Sequence, residues 1–238
     1  MRVLFLRNTR NKFGDIRVRQ ALQMAIDREI TLRGTDGDCV PRTQLWADNS
    51  PLGTVGLDAY PYNPAKAREL LKAAGVDKLE MTLATSDPNS KTIADLIEQA
   101  MSGIGVKMKI AESDTASSTL FRQGQLEAML GAFTISLVDP VAMLDDYFLD
   151  QPGGFKAAGS EGATLVKLRA EAVDAKSTDA QRTAAVKEIG KEMARLAVYI
   201  PICNNRTHFL ATDKVVGMDN LGYIWQGVPD LRGLGIAP

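Results

Sequence analysis

Between Leu79 and Ile110 the hydrophobic period of the chain switches twice, and few architectures accommodate that. Leu79, Met81 and Leu83 alternate with polar neighbours, the two-residue period of a strand. Ile93, Leu96, Ile97, Ala100 and Met101 then recur at helical spacing, and Val106, Met108 and Ile110 alternate again. Strand, helix and strand within about 30 residues make a βαβ unit, and a helical crossover places its two strands parallel. The alternation continues on both sides. Residues 3–7 read as a strand, and Asp15 to about Arg33 as one helix with Val18, Leu22, Ala25, Ile26 and Ile30 on its apolar stripe. Asn63, Pro64 and Gly75 punctuate a further helix as cap, first turn and terminator. A helix near 115–123, a strand near 127–133, a short helix after Asp139-Pro140 and two helices at about 162–174 and 179–196 follow. V-Y-I-P-I-C and T-H-F-L-A read as two more strands, and the tail from Asp213 holds turns and isolated apolar residues. The pattern predicts an α/β fold, a mixed sheet flanked by helices.

Chemistry is constrained mainly by what the chain lacks. Lys+Arg number 28 against Asp+Glu 29, a net charge of -1, which gives no footprint for nucleic acid. The one histidine, His208, lies in an apolar run and reads as structural; no Cys/His spacing suits zinc, so no metal and no cofactor is expected. Serine-hydrolase, phosphate-loop and dinucleotide fingerprints are all missing, and no catalytic residue is assigned. Asp145-Asp146 reads as acidic residues offsetting a helix dipole. Cys39 and Cys203 stand far apart and read as unpaired, partly buried thiols, a disulfide being the alternative that an oxidising compartment would suit. From Gly34 to Pro61 the chain is rich in Gly, Pro, Asp and Asn without a period, a long ordered loop in which Trp46 is an anchor. An α/β enzyme domain using residues 34–61 as a lid is therefore an alternative reading.

Four blocks resemble one family in register. V-R-Q-A-L-Q-M-A-I-D-R-E from Val18 to Glu29 follows a short strand, V-L-F-L, and an Asn-rich turn. Y-N-P-A-K-A-R-E-L-L-K-A-A-G runs from Tyr62 to Gly75, and I-A-D-L-I-E-Q-A-M-S-G-I-G-V-K-M from Ile93 to Met108. The fourth is the strand and loop up to Val138-Asp139-Pro140, with paired helices and Y-I-P-I after it. Together they resemble the C-terminal lobe of family 5 extracytoplasmic solute-binding proteins, the peptide-, nickel- and opine-type receptors of ABC importers. The resemblance implies a periplasmic-binding-protein-like lobe of type II, with ligand held between two lobes that close on a hinge. It implies that residues 1–10 cross the hinge, that 11–212 form the C-terminal ligand-binding lobe, and that 213–238 return toward an N-terminal lobe outside this chain. The implied partners are a small-molecule ligand, that missing lobe and an ABC permease in the membrane. The implied location is periplasmic or extracytoplasmic, with a signal peptide expected in the full-length protein. A ligand-presenting receptor lobe for a sensor is a third reading.

The same resemblance aligns pocket positions. Peptide-binding members hold the α-ammonium with an Asp that falls here on Ser136, beside a Trp that falls on Phe133. The Arg that holds the α-carboxylate in dipeptide-type members falls on Ala84. Both charged grips are missing, and burying an unpartnered charge costs several kcal/mol. Phe133, Thr134, Ser136, Thr85 and Ser86 are thus expected to line a site for a neutral polar or partly apolar solute, with Trp46 and Trp225 as candidates for stacking.

Overall fold

The computed structural model describes residues 1–9, 12–85, 90–112, 119–121, 123–132, 135, 139–149, 159–206, 208–225 and 228–237. Its centre is a six-stranded sheet in the order β2-β6-β1-β5-β3-β4, built from β1 (Arg2–Leu6), β2 (Cys39–Pro41), β3 (Leu79–Thr85), β4 (Val106–Glu112), β5 (Ala128–Ala132) and β6 (Tyr199–Asn205). β3 pairs in parallel with both β4 and β5, the arrangement expected of a βαβ crossover through α4 (Lys91–Gly103). β1 pairs antiparallel with β5 and β6, and β2 antiparallel with β6. The carboxyl ends of β3, β4, β5 and β6 therefore emerge along one edge, together with the amino ends of β1 and β2.

β1 explains why the sheet has two covered faces. All five of its residues are buried, and its alternation divides them between two cores. Leu4 and Leu6 join one cluster with Leu83, Ile200 and Ile202, roofed by Leu22, Leu71 and Ile97 from α1 (Ile16–Ala25), α3 (Pro64–Ala73) and α4. Val3 and Phe5 join the other, with Tyr199, Phe148 and Trp46. Ile189 and Met193 of α7 (Asp179–Arg195) close that side. Phe148 sits 4.9 Å from the Tyr199 ring and 5.5 Å from Phe5, an aromatic column across the second core.

Local signals were honoured where they were strongest. Asn63 Oδ1 accepts from the Lys66 amide at 2.9 Å, Pro64 follows in the first turn, and Gly75 leaves the helix at φ +67, a conformation that favours glycine. Thr178 and Gln181 form a reciprocal capping box on α7. The other helices are α2 (Arg28–Gly34), α5 (Pro140–Leu144) and α6 (Gly159–Val173); a π-helical turn, Asp145–Leu149, follows α5. Asp145 does more than offset a dipole, because Arg169 Nε donates to its Oδ1 at 2.7 Å and ties this turn to α6.

Several sequence expectations need correction. The single helix expected from Asp15 to Arg33 is two. Ile26 and Asp27 are extended, and Asp27 Oδ1 accepts from the Glu29 amide at 3.0 Å, so a new N-cap starts α2 inside an unbroken apolar stripe. T-H-F-L-A makes no strand among its described residues; His208 is exposed and lies 2.8 Å from Asp38 Oδ1. The tail, where no long element is expected, carries short ones among its described residues: β7 (Val215–Val216) pairs with β10 (Gly235–Ile236), and β8 (Gly222–Trp225) with β9 (Val228–Asp230).

The cysteines are not unpaired thiols. Cys39 and Cys203 form a disulfide across β2 and β6, with Cα atoms 5.2 Å apart. Pro41 lies opposite Cys203 and Cys39 opposite Asn205, so the bridge joins diagonal neighbours on one face of the antiparallel pair. No local spacing in sequence announces a pairing that depends on two strands 164 residues apart. The loop after β2 is anchored rather than free. Gln44 Nε2 donates to Asp48 Oδ1 at 2.7 Å and to the Thr54 carbonyl at 2.6 Å, and its Oε1 accepts from the Thr54 amide at 3.0 Å. A segment held by a disulfide at one end, these bonds and a buried Trp46 is poorly suited to swing as an enzyme lid.

Two stability measurements check this description. Replacing Cys39 and Cys203 by Ser, or reducing the bridge, is expected to lower unfolding free energy by about 2–5 kcal/mol in denaturant titrations; an unchanged midpoint under reductant would contradict the pairing. Gly190 of α7 packs so close to the Trp46 ring that a Cβ there would stand 2.6 Å from Cζ3 and 3.0 Å from Cε3. Alanine gains about 1 kcal/mol of helix propensity over glycine, but overpacking against a rigid buried ring costs about 1–3 kcal/mol. Gly190→Ala is expected to be net destabilising, by about 1 kcal/mol, in the same titration, whereas a stabilised variant would mean that Trp46 has room to move.

Candidate functional site

In an open sheet containing parallel strands, the place where ligands meet the protein is outside the carboxyl ends of the strands, because loops diverge there and leave a crevice. Here that edge collects the ends of β3, β4, β5 and β6. Thr85 closes β3 and is 6% exposed. Ala84 is wholly buried, paired in register with Ala111 of β4 and Met129 of β5. The residue is therefore interior, flanked by a strand on each side, and its methyl group does not face solvent.

Of the residues singled out from sequence, Ser86 follows Thr85 directly in the chain, and Phe133 and Thr134 follow the last residue of β5. Ser86, Phe133, Thr134 and Ser136 lie outside the described residues. Trp225 ends β8, in a two-stranded sheet separate from the central one. Trp46 offers no ring face to solvent: it is 2% exposed and packs in the second core against α7. Thr85 thus stands at the edge, while Trp46 belongs to the interior.

Sequence reasoning missed the residue that organises this edge. Arg2, the first residue of β1, is buried, and its Nη1 donates to Ser90 Oγ at 2.6 Å. With its carboxamide oxygen turned toward the guanidinium, Asn205 Oδ1 accepts from Arg2 Nε at 3.2 Å and from Nη2 at 3.3 Å. Ser90 stands at the N-cap position of α4 yet makes no capping bond to the helix; its hydroxyl receives the arginine instead. A serine before K-T-I-A-D is a legible cap signal, but nothing in the sequence says that an arginine 88 residues earlier will claim its oxygen.

The opposite edge uses the same chemistry as scaffold. Arg19 is 1% exposed; its Nε and Nη2 donate to the Leu196 carbonyl at 3.0 and 2.9 Å, and its Nη1 to the carbonyls of Phe13 and Gly14 at 2.8 and 3.1 Å. Arg28 Nε donates to the Pro201 carbonyl at 2.8 Å, and burial pushes this guanidinium's pKa down from its ordinary value. Burial likewise pushes the Tyr199 phenol up, so the hydroxyl stays neutral. The residues of the D-R pair and the V-R pair thus act as structural clamps.

Among the described residues no group of three or more His, Cys, Asp and Glu side chains is placed to hold a metal ion. No described helix is long and apolar enough to cross a membrane. Two grooves, of about 320 and 450 Å³, lie on helical faces and include neither Thr85, Arg2 nor Ser90. Among the described residues this edge places the Thr85 side chain and the exposed Asn205 carboxamide above the buried Arg2 guanidinium, with no described nucleophile–base pair.

Residues 1–155 match the model of bacterial extracellular solute-binding proteins, family 5 Middle. The di/tripeptide-binding protein 1 of Pseudomonas aeruginosa (strain UCBPP-PA14) is 35% identical over 113 residues, which is 43% of this chain and 20% of that protein. The nickel-binding periplasmic protein of Escherichia coli (strain K12) is 24% identical over 218 residues, 84% of this chain and 42% of its own length. The chain therefore spans less than half the length of these relatives. In three dimensions it is similar to the ABC transporter substrate-binding protein CtaP from Listeria monocytogenes, with a TM-score of 0.82 and 21% identity, over 100% of this chain and 50% of that one. With the family model covering well over half of its residues, and with the mixed sheet and helices of that fold, the chain belongs to the family 5 bacterial extracellular solute-binding proteins.

Proposed function

We propose that the chain forms one of two lobes of the substrate-binding component of an ABC importer, and that it captures a small solute against the carboxyl edge of its sheet when a second lobe closes on a hinge. The observation that carries this reading is the family match over residues 1–155, joined to the convergence of four strand ends at one edge. Closure needs no covalent chemistry. It completes the binding surface and expels water, so ligand favours the closed state by its extra contacts there. The tail supports a second lobe: Leu210 is 98% exposed and Ile236 80%, apolar surface that a neighbouring lobe would cover. The disulfide supports an extracytoplasmic location, since such bridges persist where the environment is oxidising.

The solute class follows from the missing grips. Ala84 supplies no positive charge for a carboxylate, and Ser136 no negative charge for an ammonium. Leaving either charge desolvated without a partner costs several kcal/mol, so a neutral, hydroxyl- or amide-rich solute suits the edge better than a zwitterionic dipeptide. Sugar-like compounds, opine-like conjugates and peptides held by their backbone all meet that description. Relatives named for di/tripeptides and for nickel belong to one family, so membership alone does not choose among them.

A thermal-shift screen of the two-lobed protein against neutral sugars, opine-like conjugates and dipeptides tests both parts. A neutral solute at about 100 times its Kd is expected to stabilise by about 2.7 kcal/mol. A dipeptide as best hit would overturn the solute class, and no shift from any class would overturn solute capture. Calorimetry of the best hit on the 238-residue chain alone is expected to give an affinity weaker by about tenfold or more; equal affinity would overturn closure between two lobes.

A further inference from the structure

We propose that Arg2 is the positioning residue of the solute-facing edge: its guanidinium holds the end of β6 and the start of α4 in one frame, so that Thr85 is presented in a fixed place. This rests on the reading of that edge as the binding surface. In the sheet β5 lies between β1 and β3, so the bond from Arg2 to Ser90 spans the end of β5 and reaches the helix that follows β3. On the other side the same guanidinium meets Asn205, the last residue of β6. One side chain thus touches elements on both flanks of β1, and it does so beneath the surface: Arg2 is 4% exposed and Ser90 0%.

Three features separate this from generic packing. Ser90 gives its oxygen to Arg2 rather than to the first turn of α4, so the start of that helix is set by β1 instead of by its own cap. The disulfide half Cys203 lies directly opposite Arg2 in the β1–β6 register, which braces the strand that bears Asn205. The planar guanidinium reaches both partners through different nitrogens, and a lysine ammonium has no such fork. Arg2 need not touch the solute. It acts through Ser90 and the adjacent end of β3.

Backbone amide hydrogen exchange on the 238-residue chain tests this without a ligand. The variants are Arg2→Lys, Ser90→Ala and their combination, with Arg19→Lys as the control, an equally buried arginine clamp at the other edge. The amides to follow are Thr85, and Ala94 and Asp95, the first in α4 with partners inside the helix; Tyr199 and Ile200 report the opposite edge. Arg2→Lys and Ser90→Ala are each expected to speed exchange at Thr85, Ala94 and Asp95 by about tenfold or more, the size of a lost charge-assisted bond, with little change at Tyr199 and Ile200. The double variant is expected to be no faster than the singles, and Arg19→Lys to show the reverse pattern. Equal acceleration at both edges would reduce Arg2 to general stability and overturn the proposal, as would unchanged exchange at Thr85, Ala94 and Asp95. The two readings fail separately. An edge-local pattern with no ligand in the thermal-shift screen removes the solute and keeps the positioning, whereas a bound solute without an edge-local pattern removes the positioning alone.

Discussion

Everything in this fold depends on β1 finding its two neighbours. Five residues at the start of the chain, buried on both faces, must lie between β5 and β6, and the register aligns Phe5 with Met129 on one side and Tyr199 on the other. Contacts so distant in sequence carry a large loop-closure cost before they return any burial, which makes such a sheet slow to assemble and cooperative once formed. The βαβ unit from β3 to β4 is local and can form early; β1 joins it to the distant β6 and creates the two cores at the same stroke. The disulfide between β2 and β6 then locks the flank beyond it, joining positions 164 apart in sequence, while the β1–β6 pairing, with Arg2 opposite Cys203, closes a longer stretch still.

Burying four arginines in one lobe is the second consequence. Arg2, Arg7, Arg19 and Arg28 are all less than a tenth exposed; Arg7, Arg19 and Arg28 donate to backbone carbonyls, and Arg2 to the Ser90 hydroxyl and the Asn205 carboxamide. Arg19 takes up the carbonyl that ends α7, just before Ala197 turns back at φ +46, and the carbonyls of the turn that follows β1. Arg7 donates to the carbonyls of Phe121 and Leu126 while its guanidinium lies 5.0 Å from the Phe121 ring centroid. A buried carbonyl without a donor costs about 1–3 kcal/mol, so one guanidinium that serves several of them offsets much of its own desolvation. Arg19 and Arg28 of the opening motif are held in this way by backbone carbonyls of the fold itself.

The parts legible in sequence were those whose physics is local. Asn63, Pro64 and Gly75 specify a helix within one short window, and the period change from Met81 through Ile97 to Met108 specifies the crossover. The break at Asp27 was hidden because its apolar stripe continues from Ile26 to Ile30, and only the cap geometry interrupts the helix. The run T-H-F-L-A has strand-forming residues, yet its described residues pair with no strand, and Leu210 stands in solvent. Cys39 with Cys203, and Arg2 with Ser90, are joined by topology alone, and no window along the chain contains both partners. The candidate site followed the same division. Thr85 was accessible from the end of a strand pattern, whereas Trp46 looked like a binding aromatic in a loop and is core because Gly190 makes room for its ring.

That division bears on how selectivity would arise in the proposed site. On the proposed alignment the carboxylate grip falls on Ala84, a residue with no exposure, flanked in register by Ala111 and Met129, so a charged side chain there would have to extend from within the packing of β3 to reach a solute. Arg2 lies on β1, two strands away from β3 in the sheet, and its guanidinium donates inward to Ser90 and Asn205. A buried cation beneath an edge favours acceptor oxygens over ammonium groups there, since a like charge near it is repelled in a medium of low dielectric. On the proposed alignment, the uncharged Ser136 and the buried guanidinium of Arg2 act in the same direction. On this reading the edge selects less by a salt bridge to the solute than by the field and geometry of groups that the fold has already ordered, and the second lobe supplies the exclusion of water that makes such a field count.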